Sequence, residues 1–356
     1  MDWEKTLIPA SDPDSKPVLA ALAKRTYTFA PGRVTVAPHQ EALVEADLYA
    51  DAGNPLYSEV LLESDLVASK PFTDVVVLGK AHAPSGRTAY HLDCGVQVGP
   101  LGKTVRVYGA RRVRERALGG LQFTDPEPFS EMELGYRFAF GGVARARDGT
   151  LYPYPPNPIG CGMAIRGAVE DPSLVQVPTQ EDPGAPLDPE AMFLRRYEHW
   201  SDAPRPVSLG WTRRNFYPRY TYAGVLPEYL AAATANREAL AAQYPSLTGA
   251  AVPRMDYRFY QGASEGLWGG PLAGDEPVRL TFLDPDHPTL EFALPGDTPC
   301  MVLDKGEGPV ELRAVLQTVV MDTERRTLAM VWRGAVEYGG TEELAGGMKM
   351  ELRIEE

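Results

Sequence analysis

The sequence predicts a mostly-β protein: two β-sandwich-like lobes joined by a loop-rich, partly helical middle segment. Three observations predict it. Gly and Pro together supply 67 of 356 residues, well above the ordinary ~12%, and without a collagen period that excess reads as turns between short strands. Apolar and polar residues alternate through the first third of the chain and again through the last. Between them, from about Asp148 to Pro206, Pro is dense and periodicity weak. These shifts divide the chain into 1–147, 148–250 and 251–356.

The elements follow in order. Thr26–Phe29 and Arg33–Val36 read as strands around the Pro31-Gly32 turn. Asp74–Leu78 is continuously apolar after its first residue, the pattern of a strand buried on both faces. Gly95–Val98 and Lys103–Tyr108 flank Gly99-Pro100-Leu101-Gly102, the clearest hairpin in the chain. Tyr152–Pro158 carries four prolines and cannot be a central strand, because Pro lacks the ladder donor. Asp188-Pro189-Glu190 suits a helix start running to about Trp200, and Pro227 begins a second, Ala-rich helix over Glu228–Tyr244. Strands resume with Val278–Phe282, Leu312–Val320 and Thr327–Val336. Thr73–Lys80 echoes Thr298–Lys305 and raises the possibility of an internal duplication.

Composition narrows the function. A hydrophobic content of 44% with 23% charged residues fits a globular protein with a core. A net charge of −13 repels phosphate backbones and argues against nucleic-acid binding. No Lys or Arg lies between Arg33 and Lys70, while Glu41, Glu45, Asp47, Asp51, Glu59, Glu63 and Asp65 all do. That stretch reads as a solubilising face, with docking of a basic partner as the sharper alternative. Three scattered cysteines, an acidic start and the lack of a long apolar run predict a cytoplasmic protein without disulfides or a membrane partner.

Motifs for chemistry are sparse. Gly102-Lys103-Thr104 lacks the earlier Gly of a phosphate loop, Gln97 standing there, and the following residues alternate like a strand. His39, His82, His91, His199 and His287 show no metal-ligand spacing. No cofactor or metal is expected. Cys161, flanked by Gly160 and Gly162, is the one nucleophile candidate, with His82 or His91 as its base in a cysteine-dependent hydrolase. Trp211 and nearby aromatics offer a glycan- or small-ligand-binding alternative.

What stands out is aromatic residues beside Arg: Leu134–Gly142, and Leu209–Arg219 with Trp211, Arg213, Arg214, Phe216 and Arg219. Such residues are enriched at protein interfaces, so these five are the candidate protein-binding residues, against the alternative that they pack a core. Ser64–Pro84, Lys103–Gly109, Pro128–Met132, Arg137–Gly142, Asn157–Gly160, Arg213–Arg219, Asp256–Gln261 and Leu272–Glu276 form an ordered set spanning about residues 20–340. In that order they resemble a bacterial domain-of-unknown-function family (number 2169) tied to type VI secretion. The resemblance implies one compact unit: a cytoplasmic adaptor or chaperone that binds a toxin effector and helps load it onto the VgrG/PAAR spike. It implies no catalytic residues. Cys161 stands where relatives often carry a basic residue, and the segment Glu228–Tyr244 is longer than usual for the family.

Overall fold

The computed structural model describes residues 3–12, 16–223, 256–304, 308–337 and 351–355. Strand accounts for 43% and helix for 9%, which establishes the mostly-β class. In chain order the longer strands begin with β1 (Glu4–Ser11), β2 (Pro17–Ala30), β3 (Arg33–Val36), β4 (Thr73–Leu78), β5 (His91–Val98) and β6 (Leu101–Tyr108). The short β7 (Gln180–Glu181) and β8 (Trp268–Gly269) follow, then β9 (Pro277–Thr281), β10 (Thr289–Ala293), β11 (Cys300–Asp304) and β12 (Pro309–Leu312). β13 (Val315–Asp322), β14 (Thr327–Glu337) and β15 (Glu351–Glu355) complete the set.

A seven-stranded sheet runs β1-β2-β14-β13-β4-β8, with β3 continuing the β1 edge of β2. The length of β2 makes this possible: its first half pairs with β1, its last residues with β3, and its other edge with β14. With neighbours on both edges and cover on both faces, Val18–Ala23 is buried without alternation. The expected buried strand is β4, lying parallel to β13 with Val75 opposite Val319, and Val75 and Val76 are fully enclosed. A five-stranded antiparallel sheet runs β7-β6-β5-β9-β10, and its centre is the expected hairpin, closed by Gly99-Pro100 with Val98 opposite Leu101.

Both sheets mix strands from the two ends of the chain. β1 to β4 lie beside β8, β13 and β14, and β5 and β6 beside β9, so the sheets do not follow the division at 147 and 250. One hydrophobic core joins the sheets, with Leu19, Val75 and Val77 from the first and Val96, Val105 and Leu280 from the second. A second, smaller core, shared by the middle segment and the end of the first, lies around Phe140, Tyr154, Met163, Met192 and Phe193. The echoing segments part company: Thr73–Leu78 belongs to the seven-stranded sheet, Cys300–Asp304 to a three-stranded one with β12 and β15.

The helix expected over Asp188–Trp200 does not form. Asp188 does accept a hydrogen bond from the Glu190 amide, at 3.0 Å, but only a 3-10 turn over Glu190–Met192 follows. Met192, Phe193 and Leu194 are all buried in succession, which one face of a helix cannot provide. Phe193–Leu194 instead pairs in parallel with Ala164–Ile165, and a second 3-10 stretch covers Tyr197–Asp202. Every helical turn among the described residues is 3-10. The helix expected over Glu228–Tyr244 lies outside the described residues. No helix among them is long and apolar enough to cross a membrane.

Asp74 ties the sheet to the loop beside it. Its carboxylate meets Lys70 Nζ at 2.7 Å, the Gln261 side-chain amide at 2.8 Å and the Gly262 N–H at 2.7 Å, with no solvent exposure. Removing one partner of such a pair strands the other charge in a medium that solvates it poorly. Asp74→Ala is therefore expected to cost about 3–5 kcal/mol, read as a lower urea midpoint; a midpoint within error of the parent would contradict the assignment.

Candidate functional site

The five aromatic and Arg candidates lie mostly inside the protein. Trp211 and Arg219 are each 4% exposed, Phe216 and Arg213 are equally enclosed, and Arg214 alone is partly open. Arg219 makes a two-pronged contact with Glu63, at 2.5 and 2.9 Å, and donates to the carbonyls of Thr212 and Phe259. Arg213 donates to the carbonyls of Leu56 (2.9 Å) and Ser58 (2.6 Å), and its guanidinium stands over the rings of Tyr49 and Phe216. Arg214 reaches Asp47 and Glu63 at 3.5 Å each. In the folded chain these side chains are held by internal partners.

What they hold is on the surface. The carbonyls gripped by Arg213 belong to a small antiparallel hairpin in which Leu48 pairs with Leu62 and Tyr49 with Val60, with a 3-10 turn at Pro55–Tyr57. Leu48, Leu56, Tyr57 and Leu61 are all exposed on it, Leu56 by 57% and Tyr57 by 51%. The hairpin is otherwise fastened by hydrogen bonds. Ser58 Oγ accepts from the Asp51 N–H at 2.7 Å, Asp47 from the Ser64 N–H at 2.9 Å, and Glu59 from the Tyr136 N–H at 2.9 Å. Burial pushes the Glu59 carboxyl up, against the opposing pull of Arg137 at 3.5 Å. The result is a braced, apolar-tipped projection within the stretch that contains no Lys or Arg.

Sequence reasoning missed Leu48, Leu56, Tyr57 and Leu61. The available signal was four large apolar residues inside an acidic stretch, around an Asn54-Pro55 turn, with no period that would give them a buried face.

The other candidates fare differently. Cys161 is half-buried, its thiol pushed up to about 12 by burial, and its Sγ faces the Ala139 carbonyl at 3.9 Å. The His82 ring meets Glu324 at 2.7 Å, and His91 packs on Tyr108 with ring centroids 5.5 Å apart. Neither imidazole is among the partners of the thiol. Trp211 is too enclosed to stack on a sugar. Among the described residues one group with metal-ligand geometry occurs, Asp284, Asp286 and His287, which lie close in sequence but were not among the expected sites. Arg326 already occupies it, contacting Asp284 at 2.8 and 3.0 Å and Asp286 at 2.5 Å, so a cation of the chain itself offsets one of the two carboxylate charges.

The raised thiol has a direct consequence. At pH 8.5 the thiolate fraction of Cys161 should fall roughly a thousandfold below that of an ordinary cysteine. Iodoacetamide labelling followed by peptide mass mapping is expected to leave Cys161 largely unmodified in the native protein. Labelling at the rate of a free thiol would contradict this environment.

Comparisons with known proteins add one finding. No curated protein and no solved structure matches the chain. Residues 14–333 match the family model described as an uncharacterized protein conserved in bacteria (DUF2169). Since that match covers most of the chain, including the five-stranded sheet and the braced hairpin, the chain belongs to this bacterial family.

Proposed function

We propose that this protein is an adaptor that captures a polypeptide partner through the Leu48–Leu62 hairpin. The observation that carries the reading is the combination at that hairpin: four exposed apolar side chains on a backbone gripped by the buried Arg213. Exposed apolar groups gain free energy when a partner covers them, and a surface already held in place loses little entropy on binding. The charge of the region selects the partner. Asp47 and Glu59 are met by Arg214 and Arg137, but Glu45 and Asp51 are exposed and no Lys or Arg occurs from 34 to 69, so the open charge favours a basic segment with an apolar face.

The setting follows from the family resemblance: a type VI secretion effector, held in the cytoplasm and passed to the VgrG/PAAR spike. Binding and release would need no bond chemistry from the adaptor. The Cys161 thiol, raised by burial and without an imidazole among its partners, gives the hydrolase reading no support.

The test pairs the chain with the effector and spike proteins encoded beside its gene. Tagged wild-type protein is expected to recover both an effector and a spike protein. Leu56→Glu with Leu61→Glu should lose the effector while keeping the parent thermal unfolding curve. Recovery of neither partner by the wild type would count against the adaptor reading, and full recovery by the folded double variant would remove the hairpin from it.

A further inference from the structure

A second small hairpin carries the opposite charge. Val113–Glu115 pairs antiparallel with Leu121–Phe123, Arg114 lying opposite Gln122. The ladder continues past both ends. The Arg112 N–H donates to Thr124 Oγ1 at 3.0 Å and its carbonyl accepts from the Thr124 N–H, while the Arg116 N–H bonds the Gly120 carbonyl at 2.8 Å. Side chains alternate across a strand, so Arg112, Arg114 and Arg116 share one face and Val113 and Glu115 the other. Val113 is fully buried, whereas all three arginines are exposed. Beyond Arg116 the chain reverses through Gly119 and Gly120, both at positive φ, and leaves Leu118 fully exposed at the tip.

The arginine face carries no carboxylate. Its cross-strand residues are Thr124, Gln122 and Gly120, and none of the three guanidiniums has an ion-pair partner among the described residues. Arg111 beside them is different: it stands over the rings of Tyr108 and Phe123, with Glu181 at 3.6 Å. The acids of the neighbourhood come from the other side. Val113, Leu121, Val169, Val175 and Met192 share the smaller core, so the segment bearing Glu170 and Asp171 and the turn bearing Glu190 lie on the Val113 side, with Glu115. Asp171 accepts from the Ser173 N–H at 2.9 Å, and Glu190 from the Leu121 N–H at 2.7 Å and from Arg166. Glu190 attracts Arg116 at one end of the stripe, and Asp125 follows Thr124 beyond the other, yet neither forms an ion pair with it. Same-face residues of a strand are about 6.6–6.8 Å apart, inside the screening length of ~8 Å at physiological salt. The three guanidiniums therefore repel one another until carboxylates are set over them.

We propose that this stripe docks an extended acidic segment of a partner polypeptide, with Asp or Glu side chains at alternate positions and a large apolar residue against Leu118. An extended chain repeats its same-face side chains at the spacing of the stripe, so three carboxylates meet three guanidiniums in a single register. The occupant is a different polypeptide, because nowhere in this sequence do three acids stand at alternate positions and a second copy cannot supply the pattern. Phosphate surfaces would meet the field of a chain carrying a net −13. The proposal adds a second surface to the adaptor reading and rests on it only in taking the occupant to be a polypeptide.

The test uses the purified full chain and rhodamine-labelled peptides with amidated ends, with anisotropy as the readout. The probes are Leu-Thr-Glu-Thr-Glu-Thr-Glu-Thr-Leu, its isomer Leu-Thr-Thr-Glu-Glu-Glu-Thr-Thr-Leu, and the first peptide with Lys in place of each Glu. The alternating acidic peptide is expected to bind saturably, about tenfold tighter than the lysine peptide and severalfold tighter than its isomer, and to weaken as NaCl is raised. Arg112→Gln with Arg114→Gln and Arg116→Gln should weaken it about tenfold while keeping the parent thermal unfolding curve, and Leu118→Ser severalfold. Leu56→Glu with Leu61→Glu should change nothing, which separates this site from the Leu48–Leu62 hairpin. No binding by the wild type, equal binding of acidic and lysine peptides or of the two isomers, or parent affinity in the folded triple variant would overturn the proposal. So would tighter binding of phosphatidylglycerol vesicles or a DNA duplex than of the acidic peptide, or a wild-type dimer in sedimentation that the triple variant loses. Selective peptide binding by a chain that recovers no effector would support this site and count against the adaptor reading alone.

Discussion

The structure depends on charges buried along one strap, the stretch from Glu63 to Asp74. Glu63 holds Arg219, Asp65 holds Lys24 at 3.3 Å, and Lys70 holds Asp74, all with little or no exposure. Each contact reaches a different part of the fold. Lys24 lies in β2, Lys70 also donates to Thr318 of β13, and Arg333 of β14 donates to the carbonyls of Val67 and Ala68. A buried ion pair gains little over a well-packed apolar pair, yet losing one partner is expensive. Such pairs therefore work as position markers: the strap has one register across the sheet in which every charge is met.

That register determines what reaches the surface. Glu63 sits at the end of the exposed hairpin, and through it the position of Arg219 is linked to that of Arg214. Arg213 then fixes the far side of the hairpin through two backbone carbonyls. Charge-assisted bonds of this kind are about twice as strong as neutral ones. They allow a loop with few buried apolar contacts to keep a defined shape. The apolar tips can stay outside because the hairpin is anchored by polar contacts beneath it.

The same logic explains what could be read in the sequence. The β5–β6 hairpin and strand β4 were legible because their patterns are local: alternation around Gly-Pro, and a run of Val between turn residues. Helix at Asp188 was suggested by an equally local capping signal, which Met192-Phe193-Leu194 overrode once the small core was available to bury all three. Trp211, Arg213 and Phe216 show why the site was only half legible. Aromatic and Arg residues in proximity look alike whether the guanidinium ends on a partner or on a buried carbonyl, and only the path of the chain decides. The hairpin itself has no periodicity, so its exposed leucines carried no sign of the face they occupy.

The account's central claim is that buried arginines hold an apolar hairpin rigid from below. Hydrogen exchange on the wild type and on Arg213→Ala tests it most directly. Amides of residues 48–62 are expected to be protected in the wild type and to exchange markedly faster in the variant, while β5 and β6 stay unchanged. Exchange at solvent rates across 48–62 in the wild type, or equal protection with and without Arg213, would contradict it.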